Sequence, residues 1–229
     1  MKTIKAIILL AGLGSRLGRP HPKSLVRLGD GHTILSRQLT VFNEFGIPVY
    51  AVVGFKKELI MEAAPNLMYV YNPNYDTTNT SKSLLCGLRH IENNDVLWIN
   101  GDVVFDPEIL RKMLSFNESA VAVNQSKVGE EEVKYRLNKD GYIEELSKQV
   151  QDAAGEALGI NFIKADLVPE LCSKLAEVDD DAYFERAMEL LIAERGNIFR
   201  PVDVGALPCI EVDFDEDLRR AEELFNNKR

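Results

Sequence analysis

The chain has 229 residues, 45% hydrophobic and 28% charged, a composition that fits a globular protein with a well-buried core. Its formal net charge of −9 argues against general nucleic-acid binding, because that affinity comes mostly from neutralised phosphates. The sequence has no run of about 20 apolar residues to cross a membrane, and the apolar segment 6–11 lacks a signal-peptide cleavage site, so we expect a cytoplasmic protein without a membrane partner.

Positive charge is concentrated at the N-terminus, where no acidic residue precedes Asp30. A basic patch on an acidic protein predicts a site for a small anion. The three cysteines lie far apart and in no CxxC pair, which excludes a zinc site and indicates core packing in a reducing compartment. The three histidines are also scattered, so a Ser/His/Asp triad has little support.

The first half of the chain alternates strand and helix patterns. Strands are predicted at residues 5–10, 48–54, 67–71 and 95–100, and helices at 33–45, 57–64 and 80–92. This alternation predicts an α/β fold with a Rossmann-like, mostly parallel sheet flanked by helices. Ligands of such sheets bind beyond the carboxyl ends of the strands, here in loops 11–23, 72–83 and 101–102.

The second half is less regular. Its predicted strands are 120–125, 133–137, 142–146, 157–163 and 209–214, with a hairpin turn at 139–141, and its predicted helices are 183–193 and 218–225. We interpret residues 1–229 as a single domain whose mixed sheet continues into this half. Residues 1–115 would form the nucleotide-binding half and residues 116–229 the acceptor-binding half. A homodimer is an open alternative to a monomer.

A glycine-rich loop follows the first strand directly, in the sequence AGLGSRLG at 11–18. It is not the dinucleotide fingerprint GxGxxG, because Leu17 stands where the third glycine belongs, and Pro22 likewise excludes a P-loop. The remaining pattern is Gly-x-Gly-x-Arg followed by Pro-Lys. Arg16 supplies a planar fork for phosphate oxygens and Lys23 a point charge, which together suit a triphosphate.

The segment LLAGLGSRLGRPHPKSLVRLG resembles the opening signature of the nucleoside-diphosphate-sugar pyrophosphorylase and cytidylyltransferase superfamily, the MobA-like NTP transferases. Later segments are most similar to its phosphocholine and inositol-1-phosphate cytidylyltransferase branch: NPNYDTTNTSKSLLCGL, INGDVVF, ALGINFI and PCIEVDFDEDLRRAEELF. The resemblance covers nearly the whole chain, and these segments occur in the same order as in the family.

This resemblance implies a Mg²⁺-dependent enzyme that makes a CDP-alcohol and pyrophosphate from CTP and a small phosphorylated alcohol. The alternative within the superfamily is a sugar-1-phosphate uridylyl-, thymidylyl- or guanylyltransferase. A dinucleotide-binding oxidoreductase is disfavoured by the missing third glycine. A catalytically dead nucleotide sensor is disfavoured because Arg16, Lys23, Asp102 and Asp213 are all present.

The resemblance also implies residue roles in the first loop. Its nucleotide-binding residues would be Leu10, Ala11, Gly12, Gly14, Ser15, Arg16 and Lys23. Backbone groups of the first three would hold the base and ribose, and the others would bind the phosphates. Arg16 and Lys23 would be catalytic, because phosphoryl chemistry mainly requires positioning and charge stabilisation.

Two carboxylates are the expected Mg²⁺ ligands. Asp102 follows the fourth strand, and Mg²⁺ binds one or two carboxylates together with substrate phosphates. Asp213 is the expected second ligand, and strand alternation predicts that Glu211 shares its face as an adjunct at the acceptor. We interpret Asp106 as a turn residue and Asp215 as a helix cap.

The polar segment 72–83 suits hydrogen bonding to a base or an acceptor, and Asn79 and Ser83 match the branch pattern for nucleotide binding. Lys82 stands where the family tends to have an aromatic residue, which disfavours a choline headgroup and favours a polyol phosphate. Lys148 matches a recurring basic residue of the family, which implies a contact with the acceptor phosphate; the alternative is a solvated surface lysine. Tyr183, Phe184 and Met188 have the spacing of a core helix face.

Overall fold

Strands and helices alternate through most of the computed structural model of this protein, which describes residues 3–14, 21–125, 128–129 and 132–226. The helices within these residues are α1 (Ile34–Glu44), α2 (Lys57–Ala63), α3 (Thr80–Leu88), α4 (Pro107–Ser115), α5 (Val168–Glu177), α6 (Phe184–Arg195) and α7 (Asp215–Asn226). The strands are β1 (Ile4–Leu10), β2 (Val49–Val53), β3 (Met68–Tyr71), β4 (Asp95–Asn100), β5 (Val103–Phe105), β6 (Ala120–Asn124), β7 (Lys134–Leu137), β8 (Ile143–Ser147), β9 (Gly155–Ile163), β10 (Arg200–Asp203) and β11 (Cys209–Glu211). Lys23–Leu25 form a short 3₁₀ helix.

One mixed sheet runs through both halves of the chain, in the order β10-β6-β9-β4-β1-β2-β3, with β7 and β8 attached beside β9. Strands β1 to β4 are mutually parallel, whereas β9 runs antiparallel to both β4 and β6. A second, two-stranded sheet pairs β11 with β5. The predicted Rossmann-like, mostly parallel sheet is therefore confirmed.

The sheet is buried on both faces, as its continuous apolar strands require. Residues 6–8 of β1 are fully buried, and successive side chains contribute to opposite cores. One core contains residues of α3, α5 and α6, and the other contains residues of α1, α2 and α4. Among the described helices, none combines the length and apolar character needed to span a bilayer.

Several boundaries differ from the sequence predictions. Helix α3 ends at Leu88 rather than at residue 92, because the backbone turns at Arg89. Strand β11 ends at Glu211, three residues before the predicted end.

The elements β5, α4, α5 and β10 had no counterpart in the predictions. Asp106 was interpreted as a simple turn residue, but its side chain accepts a hydrogen bond from the Glu108 N–H and caps α4.

Gln38 of α1 supports the turn that joins β4 to β5 and carries Asp102. Its side chain is 1% exposed, and Nε2 donates to the carbonyl oxygens of Asn100 (3.0 Å) and Val103 (2.8 Å). These two carbonyls flank the turn on either side. One buried amide therefore anchors the turn to the helix behind it.

We predict that Gln38→Leu lowers the free energy of unfolding by about 1–3 kcal/mol, because it leaves buried carbonyl groups without a donor. Urea denaturation would measure this change. Gln149→Leu, at an exposed position beyond β8, is the matched control and should leave the midpoint unchanged. Equal midpoints for the two variants would contradict the anchoring role of Gln38.

Candidate active site

Three loops meet at one edge of the sheet, where the parallel strands β1 to β4 end. The Gly101 N–H donates to the Leu9 carbonyl (3.0 Å), the Phe55 N–H to the Ala11 carbonyl (3.2 Å) and the Asn72 N–H to the Val53 carbonyl (2.9 Å). These bonds hold the ends of neighbouring strands together. The loops that follow β1, β3 and β4 thus share the edge at which the sequence predicted a ligand.

Lys23 lies between two carboxylates that come from distant parts of the chain. Its Nζ donates to Asp102 Oδ2 (3.1 Å) and to Asp213 Oδ1 in a second ion pair. All three side chains are largely buried, with 15% of Lys23 and 24% of each aspartate exposed. The structure therefore brings together three of the residues singled out from sequence.

The charges of this triad act on one another strongly. Burial disfavours the charged lysine, but the two carboxylates outweigh burial and raise the pKa of Lys23 above its usual value. Burial raises the pKa of Asp102; the attraction of Lys23 opposes this shift, and the charge of Asp213 adds to it. The two carboxylates are close enough to repel each other and to share one cation.

Backbone pairing places Asp213 beside Asp102. Strand β11 pairs with β5, and the Val212 N–H then donates to the Asp102 carbonyl (3.0 Å). Because β11 ends at Glu211, the alternation argument that put Glu211 and Asp213 on one strand face was wrong. The N–H groups of Asp213 and Phe214 instead donate to Asp217, which fills the capping role predicted for Asp215.

Glu211 lies beside the triad at this edge of the sheet, here called the cleft; the residue as a whole is exposed, but protein atoms surround its carboxylate. That environment raises the pKa of Glu211 to about 8, with a further contribution from the charge of Asp102. Its Oε1 accepts a hydrogen bond from Asn100 Nδ2 (3.2 Å). Gly159 leaves room for this pair, because a Cβ there would lie 2.6 Å from Glu211 Oε1 and the φ of +65° also favours glycine.

The glycine-rich loop folds back towards Lys23. Gly14 adopts a φ of +63°, and a Cβ at this position would lie 3.2 Å from Lys23 Cγ. Gly12 has open space beside its Cα, as a backbone that receives a ligand needs. Leu10 and Ala11 are buried at the end of β1. Ser15 and Arg16 lie outside the described residues.

Asn79 and Ser83 belong to a network of internal hydrogen bonds. Asn79 caps α3 and donates from Nδ2 to the Asp181 carbonyl (3.0 Å), while Ser83 Oγ accepts from the buried Asn72 (3.1 Å). Further bonds link this region to the start of α6: the Ser81 N–H to the Ala182 carbonyl, and the Phe184 N–H to Thr80 Oγ1. The N-termini of α3 and α6 are thereby fixed to each other.

Lys82 faces the end of α5. Its Nζ donates to the carbonyls of Leu175 (3.0 Å) and Val178 (2.5 Å) and lies 3.7 Å from Asp180 Oδ1. An ammonium group satisfies helix C-terminal carbonyls well and complements the helix dipole. Lys82 therefore caps the C-terminal end of α5.

Lys148 and Glu185, a residue that sequence reasoning missed, form a second group of charged side chains near Glu211. Lys148 Nζ lies 5.4 Å from the centre of the Tyr183 ring, and its charge acts on Glu185 of α6. Glu185 also interacts with Glu211, which links this group to the carboxylates around Lys23. Phe184 and Met188 are core residues, as predicted, but the prediction was wrong for Tyr183, which is exposed because it precedes the first turn of α6. An acidic residue next to that core face was the available signal for Glu185.

The described residues contain no cluster of three or more His, Cys, Asp or Glu side chains arranged for a metal ion. A site completed by substrate phosphates needs fewer protein ligands. Asp102 and Asp213 already share one cation, the Lys23 ammonium, and their hard oxygen atoms suit Mg²⁺. These two residues are therefore the ones that fit such an ion.

Comparison with known proteins gives consistent matches. The model of the MobA-like NTP transferase domain matches residues 6–160. The CMP-5′-(3-aminopropyl)phosphonate synthase of Streptomyces rubellomurinus is 29% identical over 249 residues, covering 99% of this chain and 39% of that protein. The bifunctional IPC transferase and DIPP synthase of Archaeoglobus fulgidus is 27% identical over 235 residues, covering 96% of this chain and 44% of that protein.

The fold also matches solved structures. The inositol-1-phosphate CTP transferase from T. maritima superimposes with a TM-score of 0.82 at 19% identity, covering 99% of this chain and 96% of that one. At this identity the likeness shows the fold. The chain spans about two fifths of the length of the curated relatives it matches, 39% and 44% for the two above.

We predict that Lys82→Met lowers the free energy of unfolding by about 1.5–3 kcal/mol, the cost of removing hydrogen bonds to a charged group. Chemical denaturation would measure it, with Lys139→Met at an exposed turn as the control. If the stability of Lys82→Met instead equals that of the control, the capping role is wrong.

Proposed function

The chain belongs to the MobA-like NTP transferase domain family, and from this premise we propose that it transfers a cytidylyl group from CTP to a small phosphate or phosphonate acceptor. The observation that carries the proposal is the Lys23–Asp102–Asp213 triad at the carboxyl edge of β1 and β4. The similarity to a CMP-phosphonate synthase over 99% of the chain supports cytidine as the nucleoside and a phosphonate among the acceptors.

In the proposed reaction, an oxygen of the acceptor forms a bond to the α-phosphorus of CTP. The bond from that phosphorus to the oxygen bridging the β-phosphate breaks, and pyrophosphate leaves with the electron pair. The attacking group is an anion already, so the protein needs no covalent nucleophile and no general base. Its contribution is position and charge.

Lys23 is the proposed catalytic cation. When a nucleotide binds, its ammonium exchanges one carboxylate partner for the α-phosphate and offsets the charge that accumulates in the transition state. Gly14 packs beside the lysine stem, so a phosphate cradled by the loop 11–14 lies within reach of Nζ. Ser15 and Arg16 are proposed to complete the phosphate contacts, with Leu10, Ala11 and Gly12 at the base and ribose.

Asp102 and Asp213 are proposed to hold Mg²⁺. Bound there, the ion supplies charge neutralisation to the triphosphate and to the departing pyrophosphate. Glu211 and Lys148 are proposed to face the acceptor, since Glu211 interacts electrostatically with both Asp102 and Glu185, and Lys148 interacts with Glu185. Asn79 and Ser83 remain proposed nucleotide contacts, and each must then share its hydrogen-bonding capacity with the internal network.

The substrate pair is tested by pyrophosphate release in Mg²⁺ buffer, crossing CTP, UTP, dTTP and GTP against 3-aminopropylphosphonate, phosphocholine, inositol-1-phosphate and glucose-1-phosphate. We expect turnover with CTP and one small acceptor. Turnover only with a nucleotide other than CTP would overturn the cytidylyltransferase assignment, and turnover only with glucose-1-phosphate would replace the small acceptor by a sugar phosphate.

We predict that Lys23→Ala lowers kcat by about 10²–10³-fold, the loss typical of removing one transition-state charge contact. Arg27→Ala, at an exposed basic residue just beyond the 3₁₀ helix, is the control and should retain activity. Circular dichroism of both variants separates catalysis from folding. Near-normal turnover by a folded Lys23→Ala enzyme would remove Lys23 from the mechanism.

We predict that Asp102→Asn raises the Mg²⁺ concentration for half-maximal rate by about tenfold or more and lowers kcat. Asp106→Asn is the matched control, because asparagine caps a helix as well as aspartate does. A Mg²⁺ titration of initial rates measures both variants. An Asp102→Asn curve that overlays the wild-type titration would exclude Asp102 as a ligand.

A further inference from the structure

A buried carboxylate lies in the acceptor half of the cleft without a full set of partners. Glu185 is 8% exposed, and its Oε2 has no hydrogen-bond partner within the part of the chain that the structure describes. The carboxylate accepts a hydrogen bond from its own backbone N–H, which accounts for its place in the first turn of α6. That bond does not account for the burial of an unpaired oxygen, which costs free energy.

The position of Glu185 is well determined. The hydrogen bonds between the N-termini of α3 and α6 fix the residue before it, since the Phe184 N–H donates to Thr80 Oγ1 (3.1 Å). The Phe184 ring packs edge-on against Trp98, with ring centres 5.8 Å apart. The backbone beside Glu185 is therefore held by contacts to both α3 and β4.

Other unpaired polar atoms share this face of the sheet. Asn161 lies opposite Trp98 in the β4–β9 pair, so the two side chains occupy one face, and Asn100 follows Trp98 by two residues on that face. Among the described residues, Asn161 Nδ2 and Asn100 Oδ1 are buried and also lack partners. Trp98 Nε1, on the same face, is likewise buried without a partner among these residues. Two acceptors (Glu185 Oε2 and Asn100 Oδ1) and two donors with spare hydrogen-bonding capacity indicate a place for a polar ligand.

The charged groups around Glu185 indicate the sign of that ligand's charge. Burial raises the pKa of Glu185 to about 7; Lys148 opposes the shift, and the neighbouring Glu189 adds to it. Glu211, at the same cleft, contributes a further carboxylate. A cation placed against Oε2 would relieve both the desolvation and the repulsion.

We propose that Glu185 is the specificity residue for an acceptor that carries an ammonium group at the end opposite its phosphate or phosphonate. An ammonium offers three donors and a positive charge, which an unpaired carboxylate oxygen and an asparagine oxygen can accept. The reacting group of the same acceptor lies towards Lys23 and Asp102. The inference rests on the proposed cytidylyltransferase activity and adds the chemical class of its acceptor.

The test compares two acceptors that differ only in their terminal group. 3-Aminopropylphosphonate and butylphosphonate have equal length, with an ammonium in one where the other has a methyl group. In the wild-type enzyme we expect kcat/KM to be about 10- to 100-fold higher for the amino acceptor, the value of one hydrogen bond to a charged group. Glu185→Gln should lose this preference while the KM for CTP stays unchanged.

Glu189→Gln, one helical turn further along α6, is the matched control and should keep the preference. Glu185→Asp retains the charge and should keep part of it, which provides a second reading if Glu185→Gln folds poorly. Thermal unfolding of all variants reports folding separately from specificity.

Equal use of both acceptors by the wild type, or an equal loss for both in Glu185→Gln, would overturn the role of Glu185. Turnover with inositol-1-phosphate but not with the amino acceptor would also overturn it, while leaving the cytidylyltransferase activity in place. Failure of CTP with every acceptor would instead remove the proposed function itself.

Discussion

The site depends on one electrostatic constraint: the ionised carboxylates of Asp102 and Asp213 repel each other unless a cation offsets their charge. In the structure that cation is the ammonium of Lys23, which pairs with both. These residues come from the beginning, middle and end of the chain, so the ion pairs also close the fold around the cleft. We infer that nucleotide and Mg²⁺ take over this balance of charge, which frees Lys23 to meet a phosphate.

The surrounding elements hold these three groups in place. The neighbouring strands β1 and β4 end together and align the glycine-rich loop with the Asp102 turn, while β5 and β11 bring Asp213 to the same turn. Gln38 supports the turn from behind. The hydrogen-bonded N-termini of α3 and α6 hold the backbone beside Glu185, and we propose that the acceptor binds between this support and the triad.

Local sequence patterns predicted the parallel strands and the loops at their carboxyl ends, because apolar runs and the residues that end them are close in sequence. Lys23, Asp102 and Asp213 followed from the same patterns and from the family resemblance. The β5–β11 pairing was missed since it joins segments more than 100 residues apart. The capping role of Lys82 was missed for the same reason, as its carbonyl partners lie 93 to 96 residues away. Burial of Glu185 depends on packing that no local pattern contains.

The most direct test of the account is a crystal structure with Mg²⁺ and a CTP analogue that resists cleavage between the α- and β-phosphates. The account predicts Mg²⁺ bound by Asp102 and Asp213, and the Lys23 ammonium moved from a carboxylate to the α-phosphate. A nucleotide bound elsewhere, with Lys23 still paired to both aspartates, would contradict it.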